Sequence, residues 1–117
     1  MTKYEKQILN ALLDKYERSK SFVGTNQVTQ RFTVKPEVLF PKYKDDSEFE
    51  LFCAVNESIE NLVSLGYIDA KKYNNGVIQR IALSVSLLGD IYDYIDREPK
   101  TDVVFQLQNL LLDYKDK

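Results

Sequence analysis

The 117 residues leave room for one compact domain, and an apolar fraction of 44% is enough to give it a core. Charged residues make up 29% and no apolar run approaches about eighteen residues, which excludes a helical membrane span. With no histidine and a single cysteine, Cys53, the chain lacks the commonest metal ligand, the usual neutral-pH base, the Ser-His and Cys-His pairs and any internal disulfide. The polar, charged opening Met1–Asn10 carries no secretory signal. The expectation is a cytoplasmic globular domain, not an enzyme by itself, with no metal and no cofactor.

The first predicted element is a helix from about Lys3 to Ser19. Tyr4, Ile8, Leu9, Leu12, Leu13 and Tyr16 recur at three- and four-residue steps, and Glu5, Lys6, Asp14, Lys15, Glu17 and Arg18 fill the opposite, charged face. Ser21–Gln30 reads as a polar loop, and Gln30–Val34 alternates as a short strand. Pro36 opens a short helix that Pro41 limits. A second long helix follows, with a capping box expected from Ser47 to Glu50. Phe49, Phe52, Cys53, Val55, Ile59, Leu62 and Val63 form its buried side, and Gly66 is a left-handed C-cap. Cys53 in that pattern is a small core residue and not a reactive thiol.

Tyr67–Tyr73 and Val77–Val85 are two strands joined by Asn74-Asn75-Gly76, a sequence whose turn positions tolerate positive φ. Leu87, Leu88, Ile91 and Ile95 imply a third helix closed by Pro99. Thr101 or Asp102 then caps a last helix carrying Val103, Val104, Phe105, Leu107, Leu110, Leu111, Leu112 and Tyr114. Those residues cover more than one face, so Leu107, Leu110 and Leu111 are candidates for an interface. The expected organisation is one domain over residues 1–98, with a C-terminal helix over 99–117. That helix packs on the domain, on a second copy in a homodimer, or on a continuation of the chain.

Charge is segregated along the chain although the net value is only −2. Residues 1–44 carry nine Lys/Arg and four Asp/Glu, whereas residues 45–70 carry seven acids and no base. Lys71, Lys72 and Arg80 then restore a basic hairpin. A helical core followed by an antiparallel hairpin is the winged-helix arrangement, so the fold class expected is α+β, winged-helix-like, with a two- or three-stranded wing and extra C-terminal helices.

In such a domain the helix before the hairpin would enter the major groove, but here it carries Glu48, Glu50, Glu57 and Glu60 and no base. Phosphate would repel it. The wing is the better candidate for DNA: Lys71, Lys72, Tyr73, Asn74, Asn75 and Arg80 suit phosphate and sugar contacts without sequence preference. Arg31, Lys35, Lys42 and Lys44 extend this patch if the short strand joins the hairpin. Lys20 lies in the same basic N-terminal segment.

At Leu12-Leu13-Asp14-Lys15-Tyr16-Glu17-Arg18-Ser19, followed by Phe22 and Gly24, the chain resembles the N-terminal region of JetD-like proteins, the nuclease subunits of the bacterial Wadjet anti-plasmid defence system. Similar features follow at Lys35-Pro36-Glu37 and from Phe49 to Leu83. The resemblance implies a longer protein in which a metal-dependent Toprim-like nuclease domain, related to type IIB topoisomerase A subunits, follows this region. No catalytic residue carries over to the 117 residues. It further implies a front end that engages DNA, or that docks other subunits of the defence complex without touching DNA. Arg18 would then grip a phosphate or a partner carboxylate.

Overall fold

The computed structural model describes residues 1–20 and 32–99; the side chain of Lys20 and the expected loop 21–30, Arg31 and last helix lie outside the described residues. The elements are α1 (Lys3–Lys20), β1 (Thr33–Val34), α2 (Pro36–Leu39), α3 (Phe49–Ser64), β2 (Ile68–Lys72), β3 (Ile78–Leu83) and α4 (Leu88–Tyr94). Single 3-10 turns at Asp46–Glu48 and Val85–Leu87 lead into α3 and α4. The three strands form one antiparallel sheet in the order β1-β3-β2. The fold is α+β and winged-helix-like, and the short strand does join the hairpin as its third member.

α1 supplies the spine of the core. Ile8, Leu9, Leu12, Leu13 and Tyr16 are buried, and they meet Val55, Ile59 and Leu62 of α3 and Ile68, Ile78 and Ile81 of the sheet. The helix begins with a reciprocal capping box. Thr2 Oγ1 accepts from the Glu5 amide at 3.1 Å, and the Glu5 carboxylate accepts from the Thr2 amide at 2.9 Å. Leu88, Ile91, Tyr92 and Ile95 bury the inner side of α4 against the same core.

Tyr43 ties the segment before α3 to the wing. Its side chain is fully buried; the hydroxyl donates to Asn56 Oδ1 and accepts from the Ile78 amide at 3.1 Å. Burial comes first among the influences that push this phenol up from its ordinary value.

Several sequence expectations are corrected. Cys53 faces solvent on α3, and Phe49 at the first position of α3 is 69% exposed, because the buried stripe runs through Val55, Ile59 and Leu62 instead. The Ser47–Glu50 box does not form. Asp45 caps the preceding 3-10 turn, its carboxylate accepting from the Ser47 amide at 3.0 Å and from the Ser47 hydroxyl at 2.8 Å. Glu5 and Glu17 are buried within α1's contact side, not on its charged face.

α4 stops before Pro99. Asp96 takes φ 52°, and the Arg97 amide donates to the Tyr92 carbonyl, which closes a Schellman-type end. Gly66 at φ 80° does the same for α3, with the Tyr67 amide on the Leu62 carbonyl. In the hairpin only Gly76 has positive φ, at 84°; Asn74 and Asn75 do not. The loop is therefore three residues long, a tight turn followed by a left-handed glycine.

Candidate nucleic-acid interface

Strand alternation sorts the basic residues of the wing onto two faces. Ile68 pairs with Leu83, and Ala70 pairs with Ile81, which is also opposite Val34; these positions point into the core. Asp69 and Thr33 both lie opposite Ala82, and Lys71 lies opposite Arg80, on the outer face. A bulge follows, since Lys72 pairs with Ile78 and leaves Gln79 as the extra residue of β3. This is why Ile78 and Ile81, three apart, are both buried.

Lys35 follows β1 with an extended backbone at φ −90° and ψ 136°. Continuing the pairing of Thr33 with Ala82 and Val34 with Ile81 by one step places Lys35 across from Arg80. Arg80 and Lys71 are a cross-strand pair of β3 and β2, and Lys35, one residue past the end of β1, extends them into a row of about 10 Å if that register is continued at the usual strand spacing. All three are exposed, and none has an ion pair with another described residue. Thr33 and Ala82 give the adjoining surface a floor of small side chains. Asp69 is the one acid there, more than 4.0 Å from each cation and so outside ion-pair distance.

The other expected wing contacts are placed differently. Lys72 turns toward α3 and forms an ion pair with Glu60. Lys42 lies 3.9 Å from Glu48, and Lys44 lies 3.4 Å from Glu37 while its ammonium sits 5.2 Å from the Tyr73 ring centroid. Such exposed pairs add little stability, but each lowers the charge available to a phosphate. Asn74 and Asn75 are exposed at the tip, where Asn75 Oδ1 accepts from the Val77 amide at 3.1 Å. Arg18 is exposed near the end of α1. Lys20 ends α1; its side chain, Arg31, Leu107, Leu110 and Leu111 lie outside the described residues.

Lys15 is the neighbour that the sequence reading assigned only to a solvated face. Its ammonium donates to the Thr33 carbonyl at 2.6 Å, so a further cation stands at the β1 edge of the sheet. No local motif signals this contact, because it joins α1 to a strand eighteen residues later. The outer face of α3 carries Glu50 and Glu57 and no Lys or Arg. Phosphate is therefore favoured at the sheet and opposed at the helix.

Among the described residues no three Cys, Asp or Glu side chains converge in a way that would hold a metal ion, and no helix is long and apolar enough to cross a membrane. No protein-family model matches the chain, and no curated protein or solved structure shows significant similarity to it.

Proposed function

We propose that this chain is a non-catalytic DNA-engaging module, and that it serves an anti-plasmid defence nuclease as its N-terminal part. The observation that supports DNA engagement is the row Lys35–Arg80–Lys71 on the outer sheet face, free of ion pairs among the described residues. Lys71 and Arg80 are presented by backbone pairing and Lys35 by the start of α2, so they meet a phosphate track without first ordering a loop. Contacts to phosphate carry no sequence information, so the binding expected is independent of sequence.

Anisotropy of a labelled duplex titrated across a range of salt tests this reading. Three phosphate contacts give a fall in log K of about 2.7 per tenfold rise in salt. Binding that ignores salt, or that prefers one duplex sequence strongly, contradicts it.

A second reading, a docking arm for other subunits, is favoured by the exposed acidic side of α3. A complementary basic subunit surface would meet it without any DNA contact.

A further inference from the structure

The start of α3 and the wing hairpin enclose a groove of about 450 Å3 that has no part in the cation row. One wall is a ladder of rings leading from core to solvent. Buried Tyr43 stacks on half-buried Phe52 with centroids 5.2 Å apart, and Phe52 stacks on Phe49 at 6.4 Å. Phe49, at the first position of α3, is 69% exposed. The opposite wall is Tyr73, 46% exposed, whose ring face already receives the Lys44 ammonium. Asp45 and Asp46 line the same groove, and neither has an ion pair with another described residue. The Lys44 charge is answered by Glu37.

Exposed aromatic faces beside carboxylates select for cations. The same carboxylates repel phosphate, so the rings are poorly suited to stacking the bases of a nucleic acid. A contiguous apolar surface such as Phe49 with Phe52 and Val77 also favours a partner that brings an apolar side chain of its own. We propose that this groove docks a segment of a partner protein that presents an arginine or lysine next to an aromatic or aliphatic residue. The cation would lie against Tyr73 and the two aspartates, and the apolar neighbour would cover Phe49. This surface and its partner class are separate from the DNA reading, and either stands if the other fails.

The test is an NMR amide titration of the full chain with two blocked peptides, acetyl-Gly-Arg-Phe-Arg-Gly-amide and its counterpart with glutamate in place of arginine. The expected result is saturable movement of the Asp46, Phe49 and Asn75 amides by the arginine peptide, about tenfold tighter than by the glutamate peptide. Phe49→Ala and Asp46→Asn each weaken that binding, while the amides of Ile59 and Ile81 keep their positions and report an intact core. Equal binding of both peptides overturns the proposal, as does movement confined to Lys71 and Arg80 or no movement at all. Oligothymidylate shifting the groove amides more strongly than the arginine peptide also overturns it, and would assign the rings to base stacking.

Discussion

Arg97 reaches from the end of α4 to three residues of α1: Asn10, through Oδ1 at 2.9 Å and its carbonyl at 3.3 Å, Asp14 at 2.7 Å and Glu17 at 2.9 Å. Glu17 is 7% exposed, and its other oxygen takes the Tyr92 hydroxyl at 2.6 Å. Arg97→Ala would leave that carboxylate buried without its cation, and should cost about 3 kcal/mol in urea unfolding. Glu17→Gln should cost less, since an amide oxygen still accepts from Tyr92.

Glu5 makes a parallel link, taking Asn61 Nδ2 at 2.8 Å and the Tyr94 hydroxyl at 2.7 Å. Burial opposes its ionisation, but the hydrogen bonds from Thr2, Tyr94 and Asn61 outweigh burial and hold its carboxyl below the ordinary value of 4.5. A group lowered on folding adds stability that is present above the unfolded value and lost as pH falls through the folded one. Glu5→Gln should therefore flatten the acid limb of a stability–pH curve. Tyr94 behaves oppositely. The bond to the Glu5 carboxylate, then burial, raises it from 10.0 to about 12, so its contribution is complete below pH 10.0 and declines as pH rises towards 12. Tyr94→Phe should make the alkaline limb shallower. The sequence hides both acids because their polarity suggests solvent, although Thr2 and Glu5 have capping-box spacing and Glu17 stands four residues after core Leu13.

At the scale of elements, two helices end on the same left-handed motif with different residues. Gly66 at φ 80° suits it, whereas Asp96 at φ 52° bears a side-chain penalty. Gly66→Ala should destabilise by about 1 kcal/mol, with the new methyl also meeting Leu87 at 3.4 Å. Asp96→Gly should stabilise by about 0.5 kcal/mol, and paired thermal melts check the opposite signs.

Most elements were legible because period and punctuation agree: the stripe of α1, Gly66 after α3, and the Asn-Gly hairpin. The start of α3 was not, since Asp45 and Ser47 compete as caps and the local contest favours the 3-10 turn. Phe49 and Cys53 face water because at about 100° per residue they lie well off the stripe of Val55, Ile59 and Leu62. The two-residue β1 gains its place from buried neighbours Phe32 and Val34 and their pairing with β3, a long-range effect that only its alternation foreshadows.

Across the whole molecule, a net charge of −2 conceals surfaces of opposite sign. Segregation along the chain was visible in the sequence, whereas the separation of Lys71 from Lys72 at the bulge was not. What composition hides is cancellation in space: among the described residues Lys42, Lys44 and Lys72 each meet a glutamate, while Lys35, Lys71 and Arg80 do not. If the chain engages DNA as proposed, the arrangement of its bases and not their count sets where phosphate binds. Two triple variants of equal charge change test it directly by duplex anisotropy at low salt, Lys35→Ala/Lys71→Ala/Arg80→Ala against Lys42→Ala/Lys44→Ala/Lys72→Ala. The first should lose at least about tenfold in affinity and flatten the salt slope, and the second should change within about twofold. Equal losses in both, or a larger loss in the second, would contradict it.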